Sequence, residues 1–166
     1  MRAVGLAGWS GSGKTTLIAR LIPELNRRGL AVSTVKHAHH GFDVDRPGKD
    51  SYIHRAAGAA EVLVASPDRI ALMRELRGAP EPSLAELLAL LAPVDLVLIE
   101  GFKRDPIAKI EVFRAANGKP PLYAKDPRIV ALVSDGAPAG GLPHAQIDDI
   151  PAAAELVLRY AQPVVL

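Results

Sequence analysis

The sequence predicts an α/β fold: a single P-loop nucleotide-binding domain over residues 1–166, built on a mostly parallel, doubly wound sheet with an appended β-hairpin. Three observations predict it. A short apolar segment runs straight into the turn Gly8-Trp9-Ser10-Gly11-Ser12-Gly13-Lys14-Thr15, which satisfies G-x-x-x-x-G-K-S/T without a mismatch. A helical apolar pattern follows at once. Further apolar segments then end in polar clusters, as strands of an open parallel sheet do at its ligand-binding edge.

Arg2–Ala7 is apolar and short enough for a buried parallel strand, and Thr16–Arg28 carries Leu17, Ile18, Leu21, Ile22 and Leu25 on one helical face. Gly29 suits a helix C-terminal cap. Pro23 removes one helical hydrogen bond, so a kink is expected there. Leu30–Val35 reads as the second parallel strand and delivers Lys36-His37-Ala38-His39-His40-Gly41 beside the phosphate loop. Phe42–Lys49 reads as a loop, and Asp50-Ser51 opens a helix to about residue 57, placing Asp50 near the nucleotide.

Glu61–Ala65 and Arg69–Met73 predict a hairpin through the turn Ser66-Pro67-Asp68. Ser83 and Glu86 have the spacing of a capping box for a helix with the stripe Leu84, Leu87, Leu88 and Leu91, ended by Pro93. Val94–Ile99 is the strongest strand signal, a continuous apolar run suited to a central parallel strand, and it delivers Glu100-Gly101-Phe102-Lys103. Ala108–Arg114 and Ile129–Val133 are further strands, the latter ending in Ser134-Asp135-Gly136. Lys103, Arg104 and Lys109 either hold an anionic substrate or are solvated charges. Pro151–Tyr160 is the last helix, with Leu156 and Tyr160 inward.

Composition restricts the possibilities. With 49% hydrophobic and 23% charged residues over 166, the chain can bury a substantial core. A net charge of only +2, with Lys and Arg scattered among acids, does not suggest nucleic acid as partner. The absence of cysteine excludes disulfides and thiolate metal sites. No apolar run reaches membrane-spanning length, and the first strand has no signal-peptide pattern, so a cytoplasmic protein with no membrane partner is expected.

The loop chemistry is specific. Glycines let successive N–H groups converge on phosphate oxygens, Lys14 places a charge between the terminal phosphates, and the Thr15 hydroxyl suits Mg²⁺. Gly8 through Lys14, Thr15 and Thr16 are therefore the expected nucleotide contacts. Glu100, a carboxylate ending a central strand and followed by glycine, suits an Mg²⁺ or water ligand opposite the loop. His37, His39, His40 and His54 match no standard zinc spacing; beside Lys36 and Lys49 they are better suited to contact an anion, or to bond within an ordered loop.

The phosphate loop, the run from Lys36 through Asp43-Val44-Asp45-Arg46-Pro47-Gly48-Lys49-Asp50-Ser51, and Ile99-Glu100-Gly101-Phe102-Lys103 together resemble the molybdopterin-guanine dinucleotide biosynthesis accessory protein B family. The likeness is colinear over roughly residues 1 to 135, and the long second motif is far more specific than the loop. The resemblance implies a small GTP-binding, weakly hydrolysing accessory protein in molybdenum cofactor maturation. Its implied partners are molybdopterin and the enzyme that attaches guanosine monophosphate to it. Candidate pterin or anion contacts are then Lys36, His37, His39, His40, Lys49 and Lys103.

More broadly, the motif order resembles the phosphate-loop class of dethiobiotin synthetase and nitrogenase iron protein, whose members commonly act as dimers, so a homodimer is implied. In that class an aspartate after the second strand and an acid ending a central strand help hold Mg²⁺. The matching positions are Asp50 and Glu100, which with Lys14 form the implied catalytic set and with Thr15 the implied metal set. The extra early loop lysine of many dimeric members is absent, the region being Gly8-Trp9-Ser10. The Asn-Lys-x-Asp guanine motif is also missing; Asp135, after the last central strand, is the expected base contact and predicts preference for GTP over ATP. A small-acid kinase or ligase, and a nucleotide-gated pterin carrier without chemistry, use the same loop and stay open as alternatives.

Overall fold

A computed structural model describes residues 1–38, 41–136 and 141–164, so the expectations for His39 and His40 lie outside the described residues. Two compact units emerge: Met1–His37 with Leu84–Leu166, and Ala38–Ser83.

In the first unit, β1 (Arg2–Ala7), β2 (Val32–Lys36), β5 (Leu96–Glu100), β6 (Lys109–Phe113), β7 (Ile129–Ser134) and β8 (His144–Gln146) form a parallel sheet in the order β2-β5-β1-β6-β7-β8. The two-residue β9 (Gln162–Pro163) adds antiparallel to β1. β1 is flanked by β5, with Gly5 opposite Ile99, and by β6, with Gly5 opposite Lys109. Strands with neighbours on both edges and helices over both faces expose neither, which is why β1 and β5 read as unbroken apolar runs.

Alternating side chains divide the core between the two faces. Val4, Leu6, Leu96, Leu98, Ile110 and Val112 pack against α1 (Lys14–Arg27) and α4 (Ile150–Tyr160). Ala3, Val97 and Ile99 pack instead against Leu84 and Leu88 of α3 (Leu84–Ala89) and against Phe102. Helices on both faces make the sheet doubly wound. The first helix starts at Lys14, not Thr16, because Gly13 takes the left-handed conformation (φ 95°) and acts as N-cap directly before the lysine. It buries Leu17, Leu21 and Leu25 and continues through Pro23 to Arg27. The last helix is capped by Asp149, whose side chain accepts the Ala152 N–H at 3.0 Å.

The second unit holds α2 (Asp50–Ala56) and the hairpin of β3 (Glu61–Ala65) and β4 (Ile70–Arg74), within a residue of the expected bounds. The hairpin is a two-stranded sheet of its own. Its turn is closed by Ser66, whose Oγ accepts the N–H groups of Asp68 and Arg69. Arg55 of α2 orders the preceding motif by donating to Asp45 and to Glu75, each at 2.7 Å, and to Asp43. The acids of the Asp43-Val44-Asp45 run thus tie their loop to α2.

Candidate nucleotide site at the phosphate loop

The glycines of the loop are required by position. Gly8 has φ 149°, and a Cβ there would lie 2.5 Å from the Val112 carbonyl oxygen of β6 and 2.6 Å from Ser12 Oγ. Gly13 combines φ 95° with a neighbour at van der Waals limit: a Cβ would lie 3.2 Å from Arg114 Nε. A side chain at Gly8 would force the loop off β6, whereas at Gly13 the left-handed backbone is the constraint and the neighbour is the Arg114 side chain. Ser12 is 1% exposed and its hydroxyl has no hydrogen-bond partner among the described residues, a buried polar atom inside the turn.

Lys14 folds back over this turn, its ammonium donating to the carbonyls of Gly8 (3.0 Å) and Trp9 (2.9 Å). Burial pulls its pKa below the ordinary lysine value; Glu100 opposes that, while Lys103 and Lys36 reinforce it. Glu100, Lys103 and Lys36 are thus within electrostatic reach of Lys14. Glu100 ends β5, its side chain 14% exposed, with Lys36 Nζ 3.8 Å away at the end of β2. Lys103 Nζ stands 5.9 Å from the centre of the Trp9 ring. Lys36 and Glu100 at their strand ends, Lys103 just beyond β5 and Lys14 at the start of α1 thus form one corner beside the glycine turn.

The turn after β5 is tightly constrained. Gly101 has φ 98°, and a Cβ there would lie 2.6 Å from His37 Cβ. Phe102 is itself left-handed (φ 48°) and buried, its ring 4.9 Å from that of His37. His37 is thus a packing partner of Phe102 at the edge of this corner.

A second brace is the segment from Arg114 to Arg128, which follows β6. Trp9 Nε1 donates to the Pro120 carbonyl at 2.8 Å, and Asn117 Nδ2 donates to the Ser10 carbonyl at 3.0 Å. The segment is anchored by Glu111, fully buried in β6, whose carboxylate accepts the N–H groups of Leu122 (2.7 Å) and Tyr123 (2.9 Å). Burial raises the Glu111 pKa above the ordinary glutamate value, against the pull of those two N–H groups. Asp135, exposed at the end of β7, accepts the Ala115 N–H at 3.0 Å through one oxygen.

Residues 3–135 match the sequence model of the family described as MobB, molybdopterin guanine dinucleotide synthesis protein B. The chain belongs to this family. It is 42% identical over 162 residues to the molybdopterin-guanine dinucleotide biosynthesis adapter protein of Escherichia coli K12, covering 96% of this chain and 93% of the relative. A crystal structure of molybdopterin-guanine biosynthesis protein B is 31% identical, with a TM-score of 0.75 over 95% of this chain and 98% of the other. The Bacillus subtilis MobB crystal structure gives a TM-score of 0.76 at 29% identity over 99% and 100%. The family resemblance read from the three sequence motifs, and the parallel α/β fold, are therefore borne out.

Within this member of the family, the first unit brings together the loop from Gly8 to Thr16, Lys36, His37, Glu100 and Lys103. Lys49 and Asp50 belong to the second unit, where Lys49 is the N-cap of α2 and Asp50 its first residue. Lys109 is neither a substrate contact nor a solvated charge. It is 1% exposed, donating to the carbonyls of Asp105 (2.8 Å) and Ile107 (3.4 Å), with Asp126 at 3.6 Å. The reason lies in the segments flanking β6: Asp105 and Ile107 before it and Leu122 to Asp126 after it cover the face that carries Lys109 and Glu111. Arg114, Asn117 and Pro120 were not singled out by sequence. The one signal for them is the strand pattern ending at Arg114, which puts that residue at the same sheet edge as the loop.

Proposed function

We propose that this protein binds GTP with Mg²⁺ at the phosphate loop, hydrolyses it slowly, and serves as an adapter in molybdopterin guanine dinucleotide biosynthesis. The observation that carries this is the conjunction of a complete phosphate-binding turn, braced by Trp9 and Ser10, with the Lys14, Lys36 and Lys103 corner in a member of this family. Gly8 to Thr16 hold the phosphates, and Asp135 presents its carboxylate to the guanine N–H donors. Lys36, His37, His39, His40, Lys49 and Lys103 are the proposed contacts for the phosphate of a pterin.

Among the described residues no three His, Cys, Asp or Glu side chains gather as a metal site. Mg²⁺ held mainly by nucleotide phosphates needs only one or two protein oxygens, and the exposed Thr15 hydroxyl and Glu100 fit that requirement. Asp50 is proposed for the same role on sequence grounds. The bound ion would neutralise charge developing on the transferring phosphoryl group. Slow turnover follows from this chain's own inventory. Lys14 and the turn position a triphosphate, but fast hydrolysis also needs an oriented water and an added positive charge, for which Arg46 and Lys49 in the loop before α2 and Lys103 are the candidates.

The proposed partners are molybdopterin and the guanylyl-transferring enzyme, with the protein acting as a cytoplasmic homodimer. No helix among the described residues is long and apolar enough to cross a membrane. The test is titration calorimetry with GTP on wild type and Lys14→Ala, followed by single-turnover hydrolysis. Expected are binding by wild type, loss of binding in a folded variant, and unassisted turnover on the order of 10⁻⁴ to 10⁻² per second, rising with partner. Unchanged GTP affinity in folded Lys14→Ala overturns the reading.

A further inference from the structure

Arg114 is the first residue after β6, and its guanidinium lies along Gly13: Nε, Nη2 and Cζ stand 3.2, 3.7 and 3.9 Å from the place a Gly13 Cβ would take. That contact exists because Gly13 has no side chain. The residue is held on both sides. The Ala115 N–H is bound by Asp135 at 3.0 Å, the Arg114 carbonyl accepts the Asn117 N–H at 3.1 Å, and the Asn117 side chain donates to Ser10 of the loop. Holding the backbone this way fixes where the guanidinium can reach.

Yet no hydrogen bond or ion pair engages that guanidinium among the described residues, although it is half-buried. The neighbouring carboxylate, Asp135, spends one oxygen on the Ala115 amide. Partial burial takes water from a guanidinium with five N–H donors, which a bound partner can replace. An arginine packed against Gly13 of a phosphate-loop turn is chemically matched to a phosphate oxygen.

Position selects which phosphate. Lys14 reaches back over Gly8 and Trp9 at the start of the turn, whereas Arg114 lies at Gly13, where the turn enters α1. It is also one residue from the amide that Asp135 holds, on the side where the base is proposed to lie. We infer that Arg114 is a nucleotide-binding residue whose guanidinium grips the phosphate nearest the sugar, between the base position at Asp135 and the terminal phosphates under Lys14. This rests on the nucleotide site proposed above and assigns it a second cation with a different target.

The test compares GTP and GDP affinity of wild type, Lys14→Ala, Arg114→Ala and Arg114→Lys by calorimetry, with thermal unfolding to verify each fold. A charge-assisted hydrogen bond predicts that Arg114→Ala loses about ten- to a hundredfold affinity, equally for GTP and GDP, since both carry that phosphate. Arg114→Lys, keeping the charge without the fork, recovers part of the loss and serves as the readout if the alanine variant unfolds. Folded Arg114 variants with wild-type affinity, while Lys14→Ala has lost it, overturn this inference alone. A loss confined to GTP also overturns it, by moving the cation to the terminal phosphate. Absence of binding by wild type overturns the underlying site instead.

Discussion

Replacing Glu111 by glutamine keeps the shape of the side chain and inverts half of its hydrogen bonding. In wild type both carboxylate oxygens accept, one from Leu122 N–H at 2.7 Å and one from Tyr123 N–H at 2.9 Å. An amide has one acceptor oxygen, so its NH₂ group must face the second backbone N–H, donor against donor. The group is 0% exposed, and water does not relieve the mismatch. Leaving a buried donor unsatisfied costs about 1–3 kcal/mol. For a chain of this size, each kcal/mol shifts the melting temperature by about 2–4 °C, so Glu111→Gln should melt about 2–12 °C lower in calorimetry.

The pH dependence supplies a sharper check. Burial raises the Glu111 pKa, so its contribution to stability is full below the unfolded value near 4.3 and is lost as pH rises through the raised folded value. Glutamine does not titrate, so this loss of stability with rising pH should be present in wild type and absent from the variant. Nucleotide affinity should fall too, because the segment that Glu111 anchors carries the acceptor of Trp9 and the donor to Ser10. A variant as stable as wild type across this range refutes the buried two-acceptor role.

Gly101→Ala adds a Cβ 2.6 Å from that of His37 at φ 98°; urea denaturation should show a loss of at least about 1–2 kcal/mol, and an unchanged midpoint would mean the turn relaxes freely. Alanine at Asp50 or Glu100 should weaken the Mg²⁺ dependence of GTP binding more than metal-free binding, since a carboxylate near triphosphate repels it without a cation between. Wild-type Mg²⁺ dependence in both variants, measured by titration with and without the metal, removes the assignment. Asp135→Ala should erode preference for GTP over ATP in competition binding, and equal affinities for both nucleotides in wild type and variant would contradict a base contact there.

The sequence made the phosphate loop, its two flanking elements and the acid at Glu100 legible because these are local: a motif, a periodicity and a strand end. Long-range placement was not legible. Lys109 and Glu111 alternate with Ile110 and Val112 like residues of a half-solvated strand, and only their contacts with the flanking segments show that face covered. Three-residue β8 and two-residue β9 are too short to set up any period, and Pro163 within β9 is tolerated because that strand pairs on one side only, with β1. The braces from Asn117 and Pro120 to the loop span more than a hundred residues of chain, beyond the reach of local pattern.

Trp9 is the only tryptophan, and it stands in the phosphate loop with its indole N–H on Pro120 and the Lys103 ammonium over its ring. The protein therefore contains its own fluorophore at the place of greatest interest. Selective excitation of indole separates it from the three tyrosines, so the emission reports on this loop alone. Its intensity is sensitive to the nearby cation and its wavelength to the hydration of the ring. Loop rearrangement becomes visible in an unlabelled sample, on the timescale of a stopped-flow mixer.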